Sequence, residues 1–178
     1  SVSDKIACLK SLDGRTFTHE DENPNQNIIN LQNGLLDINT YQLVAHTPEY
    51  LSTSQIPVAF DATAVCPTWN FFVNDIMDGD AEQVKLLQQI AGYSLTTSMA
   101  LAKAFIFFGA GANGKSLFTR ILSKVVGQQN VSTVNLNSIN KQFGLTGIIG
   151  KKINLIDEIS GNYFESNTIK ALISGEKL

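Results

Sequence analysis

An eight-residue loop at 109–116 constrains the fold of this chain more than any other feature. Its sequence, Gly-Ala-Gly-Ala-Asn-Gly-Lys-Ser, fits the phosphate-binding pattern of Gly, four residues of any type, Gly, Lys and then Ser or Thr. An apolar run at 104–108 precedes it. Leu117, Ile121 and Val125 recur at helical spacing afterwards, with Phe118 and Leu122 alongside, until Gly127. The pattern predicts a buried strand, a tight turn and a helix whose N-terminus faces an anion.

The residue types within the loop suit a nucleotide phosphate and its metal ion. Gly109 and Gly114 allow the backbone to turn so that the amides of 111–116 face one anion. Lys115 can reach the β- and γ-phosphates, and the Ser116 hydroxyl can ligate Mg²⁺. The predicted nucleotide-binding residues are Gly109, Gly111, Ala112, Asn113, Gly114, Lys115 and Ser116.

Two adjacent acids follow a second apolar stretch. Residues 151–156 read as a short strand, and Asp157 and Glu158 stand at its C-terminal end. Asp157 is expected to hold the Mg²⁺ shell beside Ser116, and Glu158 to orient and polarise an attacking water. We therefore predict Lys115 and Glu158 as catalytic residues, and Ser116 and Asp157 as metal ligands.

The paired acids favour one class of phosphate-loop protein. Nucleotide kinases and GTPases do not usually place a glutamate directly after the metal-binding aspartate, whereas ATPases of the additional-strand class do. Between the first helix and the acids there is room for one strand (131–135) and one helix (near 137–143). We expect an α/β fold with a partial parallel sheet, of the AAA+-like P-loop NTPase kind, preceded by a small mixed region of a β-hairpin and helices.

Upstream of the loop, turn and cap signals predict the mixed region. Strands at 28–32 and 35–38 flank Asn33-Gly34, a pair that fits a type I′ turn, and 41–45 is a candidate third strand.

Two helices are predicted after the strands. Pro67 begins the first, on which Trp69 and Phe72 share an apolar face, so core packing is favoured over base stacking by these rings. Asp80 with Gln83 makes a capping-box-like start for the second helix.

The predicted organisation has three regions. Residues 1–27, acidic near their end, read as a linker or the tail of a preceding domain. Residues 28–100 form the β-hairpin and helical region. Residues 101–178 form the N-terminal part of an ATPase domain.

Short motifs spread over roughly residues 28–178 combine into a family resemblance. The loop is followed at a short interval by Asp157-Glu158, and 169–176 looks like the start of a further motif. The upstream motifs are Asn33-Gly34-Leu35-Leu36-Asp37, His46-Thr47-Pro48, Ile56-Pro57, Cys66-Pro67-x-Trp69 and Gly92-Tyr93. Together they resemble the superfamily 3 helicases, in particular the primase–helicases of phages, plasmids and poxviruses.

The resemblance implies an NTP-driven DNA helicase of a mobile element, working in the host cytoplasm with ATP or another NTP and Mg²⁺. Such proteins form rings, usually homo-hexamers, on single-stranded or forked DNA, and replication proteins are further candidate partners. The family's sensor asparagine, DNA-contacting hairpin and arginine finger are expected beyond Leu178. On this reading the chain is a C-terminally truncated motor, with ATPase activity at or near background.

Two other functions stay open at this point. A phosphotransferase of the nucleotide-kinase kind would explain the loop, but it would need a lid with arginines, and Arg120 is the only arginine after the loop. A nucleotide-binding interaction module without turnover would use residues 28–100 to dock a replication partner. The adjacent acids and the upstream motifs favour the helicase.

Composition agrees with a globular protein that handles phosphates. Hydrophobic residues make up 43% of the chain and charged residues 16%, which excludes a disordered chain. Residues 1–100 carry a net charge of −8, whereas residues 101–178 carry +5. No run of about 18 apolar residues exists, so no membrane partner is expected. Cys8 and Cys66 form no Cys-x-x-Cys pair, so free thiols in a reducing cytoplasm are expected.

Overall fold

The computed structural model describes residues 25–52, 54–139, 141, 143–157 and 166–176. Its strands are β1 (Ile28–Leu31), β2 (Gly34–Asp37), β3 (Leu43–Val44), β4 (Val131–Ser132) and β5 (Ile153–Asn154). Its α-helices are α1 (Pro67–Ile76), α2 (Ala81–Tyr93), α3 (Lys115–Val126), α4 (Leu136–Ile139) and α5 (Asn167–Ser174), with a 3₁₀ turn at Gln128–Asn130. The predicted linker, apart from 25–27, and Glu158 lie outside the described residues.

The predicted hairpin is confirmed, but its turn is shifted by one residue. Strands β1, β2 and β3 form an antiparallel sheet, and Leu31 pairs with Gly34. The two turn residues are therefore Gln32 and Asn33, so the prediction of a turn centred on Asn33-Gly34 is wrong. The physical reason is tertiary: the Asn33 amide donates to the carbonyl of Phe60 and accepts from its N–H, both at 2.9 Å.

Gly34 is needed in this position because the next strand approaches its backbone closely. Its φ is +155°, which L-residues with a side chain rarely adopt. A Cβ at this site would lie 2.4 Å from the carbonyl oxygen of Val44 on β3. The glycine thus lets β3 pair with β2 directly after the turn.

Both predicted upstream helices are present, with the expected starts. Pro67 occupies the first turn of α1, where its missing N–H costs nothing. The carboxylate of Asp80 accepts from the N–H groups of Glu82 (2.9 Å) and Gln83 (3.1 Å) at the start of α2. Such a cap stabilises a helix by about 1 kcal/mol.

The main core joins α1, α2 and α3. Its buried members are Val73, Leu87, Phe118, Leu122 and Val126. The ring of Phe118 stacks on Trp69 at a centroid distance of 5.7 Å and meets Phe107 at 5.3 Å. Each such aromatic pair adds about 0.5–1.5 kcal/mol beyond the area that it buries. The prediction that Trp69 and Phe72 serve core packing is confirmed, since both pack against this cluster.

Helix α3 buries one side of the predicted apolar face and exposes the other. Of the residues in the predicted pattern, Phe118 and Leu122 are buried, whereas Leu117 and Val125 are each 37% exposed. The buried side chains are Phe118, Leu122 and Val126. The aromatic contacts of Phe118 with α1 set this rotation of the helix and turn the neighbouring face away from the core.

The second half of the chain contains a short parallel pair in place of a full sheet. Strands β4 and β5 pair in parallel with Val131 opposite Ile153, within the predicted ranges 131–135 and 151–156. Helix α4 (Leu136–Ile139) is shorter than the predicted helix near 137–143.

The predicted strand at 104–108 is wrong for the structure as described. No strand pairing is found there, and Phe108 is 98% exposed. A strand needs hydrogen-bonding partners alongside it. Here a cavity of about 940 Å³, lined by residues 103–107 on one side and by β5 on another, separates the segment from the β4–β5 pair.

Polar side chains fix the end of β5. The Asn154 Oδ1 atom accepts from the Ser132 hydroxyl and from the Val134 N–H, each at 2.8 Å, and its amide donates to the Val134 carbonyl at 2.9 Å. Buried Asn130 donates to the carbonyls of Gln55 and Val126, both at 2.8 Å. The Asn154 bonds hold β5 against β4 and the residues that follow it, and the Asn130 bonds tie the 3₁₀ turn to the end of α3 and to Gln55.

No helix among the described residues has both the length and the apolar character to cross a bilayer.

We predict that Gly34→Ala lowers the free energy of unfolding by about 1–3 kcal/mol, because the new methyl group meets the Val44 carbonyl at an unfavourable φ. Urea denaturation measures the change. Gly92→Ala is the matched control: its Cβ would meet nothing within 4 Å, and alanine in α2 is expected to raise stability by up to about 1 kcal/mol. Equal effects of the two substitutions would contradict the account of the turn.

Candidate functional site

The backbone of loop 109–116 leads directly into helix α3. Gly114 precedes the helix with a φ of +81°, and Ala112 also has a positive φ of +60°. No side chain caps the helix, so the N–H groups of its first turn have no side-chain acceptor. Free N–H groups and the positive end of the helix dipole together form a site suited to an anion.

Lys115 folds back over the loop. Its ammonium donates to the carbonyl oxygens of Gly109 (2.9 Å) and Ala110 (3.2 Å) and to the Oδ1 atom of Asn113 (2.5 Å). The first and last parts of the loop are thereby tied to one cation. These acceptors are neutral, so a phosphate oxygen entering the loop offers the ammonium a stronger, charge-assisted partner.

Helix α1 packs closely against the loop at Gly114. A Cβ added to Gly114 would lie 2.7 Å from Cγ2 of Ile76 and 3.2 Å from Cε2 of Phe72. Only glycine combines the required φ with this close approach. The position of the loop therefore depends on the packing of α1 against α3.

Ser116 and Asp157 line the same cavity. Ser116 stands in the first turn of α3, and Asp157 follows β5; both side chains are exposed and border the 940 Å³ cavity. Ser116 belongs to the phosphate loop and Asp157 to the acid pair, two motifs that are distant in sequence. The fold places both residues at the same cavity. Lys115 does not line this cavity, because its side chain turns towards the loop. Glu158 lies outside the described residues.

A polar face of α3 borders the same cavity, and sequence reasoning missed it. Ser116, Thr119, Arg120 and Ser123 lie at i, i+3, i+4 and i+7 and all contact this space. The sequence signal for this polar face is the helical spacing of the four residues, which lie on a different side of the helix from the buried residues.

The charge around this cavity is mainly positive. Lys103, Arg120, Lys151 and Lys152 border it, and Asp157 is the one acid among the described lining residues. Such a balance favours phosphate groups over other ligands.

Other candidate chemistry is weak in the part of the chain that the structure describes. No group of three or more His, Cys, Asp or Glu side chains comes together there to hold a metal ion. Cys66 is a free, exposed thiol, as predicted, whereas Cys8 is not among the described residues. The pKa of Asp61 is lowered, because the hydroxyl and the N–H of Thr63 donate to its carboxylate; Asp61 does not border the cavity.

Two family profiles match separate parts of the chain. One, described as D5 N terminal like, matches residues 1–78, and the other, described as a family of unknown function (DUF5906), matches residues 107–178. The second match contains the phosphate loop and Asp157. No curated protein matches the sequence. The D5 N-terminal-like domain is found in primase–helicase-type proteins of phages and plasmids, and this similarity suggests a replication protein of that general kind.

We predict that Gly114→Ala displaces the loop and lowers the free energy of unfolding by about 1–3 kcal/mol, because the methyl group collides with α1 at a positive φ. Gly111→Ala is the control within the same loop. Its Cβ would meet nothing within 4 Å, so stability is expected to stay within about 0.5 kcal/mol. Thermal or urea unfolding of both variants distinguishes support by α1 from a general intolerance of the loop.

Proposed function

We propose that this chain carries the nucleotide-binding part of an NTP-driven DNA helicase motor, in a replication protein of a phage, plasmid or similar mobile element. Within this proposal the fold is a P-loop NTPase of the AAA+-like, additional-strand class. ATP or another NTP is the substrate, with Mg²⁺ as its metal ion. We also propose that the protein assembles into a homo-hexameric ring on single-stranded or forked DNA.

One observation carries the proposal. Ser116, the last residue of the phosphate loop, and Asp157, three residues after β5, border one cavity whose charged lining residues are mainly basic. A chance glycine-rich turn has no reason to share a cavity with a carboxylate more than 40 residues away in sequence. A nucleotide with its metal ion needs this combination of amides, a hydroxyl and a carboxylate.

The donor set fits Mg²⁺. This ion prefers hard oxygen ligands and usually retains several waters, so one hydroxyl and one carboxylate suffice from the protein. Ser116 would supply the hydroxyl oxygen directly and Asp157 would hold the ion through a bound water, and both side chains are accessible. The bound ion would neutralise charge on the β- and γ-phosphate oxygens.

The residues of the chain then have distinct roles. The free amides at the start of α3 hold the phosphates, and Lys115 exchanges its loop carbonyls for phosphate oxygens. Ser116 and Asp157 would hold the ion, Asp157 through water. Glu158 holds the attacking water in line with the γ-phosphate and accepts its proton.

The replication context supports the choice of a helicase among phosphate-loop proteins. The similarity of residues 1–78 to the D5 N-terminal-like domain points to replication. A phosphotransferase would also use the loop, but nothing in that reading accounts for a D5-like domain on the same chain.

We predict that, in the natural protein that contains this chain, single-stranded DNA raises ATP hydrolysis. Glu158→Gln is expected to lower kcat by about 10²–10⁴-fold while nucleotide still binds, because the amide cannot accept the proton from water. Steady-state phosphate release measures turnover, and calorimetry with ATP-γ-S and Mg²⁺ measures binding.

Glu176→Gln is the control, since this exposed acid follows α5 and does not border the cavity. Turnover that persists in Glu158→Gln would remove Glu158 as the base. Phosphorylation of an added nucleoside, with no response to DNA, would replace the helicase by a phosphotransferase.

A further inference from the structure

A second cavity, of about 440 Å³, lies beside the phosphate loop. Residues 104–107 border both cavities, so the extended segment separates the two spaces. The second cavity is otherwise bordered by side chains of α1, α2 and α3 and by Phe108 and Asn113. Its volume falls within the range of roughly 300–1,000 Å³ that is usual for small-molecule sites.

We propose that this second cavity binds the base of the nucleotide whose phosphates occupy the loop. The inference rests on the proposed function and extends it to the part of the substrate that the loop does not touch. Lys115 and Asn113 border the cavity, and both are loop residues. The second cavity therefore adjoins the phosphate loop.

Phe108 supplies the first argument for a base. It stands directly before Gly109, borders the cavity and is 98% exposed. An aromatic side chain gains no hydrophobic stabilisation in that position. A planar base stacked on its face would cover the ring, and stacking of this kind is tolerant of base identity.

The composition of the walls supplies the second argument. Ile76, Met77, Leu86 and Phe118 give apolar walls, and no acid borders the cavity among the described residues. Polar groups are few: Lys115 and Asn113 are engaged with each other, which leaves the amide of Gln83. A flat, neutral group with a hydrogen-bonding edge, attached to an anion, matches this lining, and a nucleobase is such a group.

The test compares two ligands that share phosphates but differ in the base. ATP-γ-S and inorganic tripolyphosphate are titrated by calorimetry, with Mg²⁺, into the wild-type chain and into Phe108→Ala. Phe108→Ala is expected to bind ATP-γ-S about tenfold more weakly and to bind tripolyphosphate as the wild type does. Because the Phe108 side chain is already in solvent, its removal is not expected to alter the fold.

Two further variants make the result decisive. Phe71→Ala removes another exposed ring, 73% exposed on α1, that borders neither cavity, and it should change neither affinity. Lys115→Ala should weaken both ligands, because the lysine serves the phosphates.

Unchanged ATP-γ-S affinity in Phe108→Ala, or equal weakening of both ligands, overturns the base site. If the wild-type chain binds neither ligand, the proposed function itself fails and the base site fails with it.

Discussion

The close packing of α1 against the start of α3 is the contact on which the rest of the site depends. Gly114 lies so near Ile76 and Phe72 that a single methyl group would not fit, and Phe118 stacks on Trp69 one turn further along. These contacts fix the direction in which α3 begins. Because the free amides of the helix point where its first turn points, a residue pair in the upstream region determines where a phosphate can bind.

The charged groups around the loop are unevenly distributed between the two cavities. On one side of the segment 104–107 four cations, several hydroxyls and Asp157 border the first cavity among many apolar side chains, and these polar groups suit phosphates and a metal ion. On the other side Lys115 is the one charged group among the described lining residues of the second cavity, and Phe108 stands at its edge, which suits a base. The loop lies between these environments, and Lys115 spans it. A nucleotide has the same division of charge along its length, and this correspondence unites the two proposals.

Local signals predicted much of the fold, and long-range contacts account for the errors. Asp80 marks a helix start through hydrogen bonds to the next few residues, and Pro67 marks one through its fixed φ, so the sequence suffices for both. The hairpin turn depends on a bond between Asn33 and Phe60, distant in sequence, and pattern reasoning missed the shift. The apolar run at 104–108 signals burial, but strand formation requires a partner that a local pattern cannot supply. For the site, the spacing of glycine, lysine and serine predicted the phosphate loop. The polar face of α3 and the second cavity depend on how the helices pack, which local patterns do not predict.

The most direct test of the central claim is a double-mutant cycle on Ser116 and Asp157. The claim is that these two side chains serve one metal–nucleotide complex. Calorimetry measures the Mg²⁺-dependent affinity for ATP-γ-S in the wild type, Ser116→Ala, Asp157→Asn and the double variant. The account predicts that the two losses are not additive, with a coupling energy above about 0.5 kcal/mol, because both side chains act on the same ion. Additive losses, or affinities that do not depend on Mg²⁺, would contradict it.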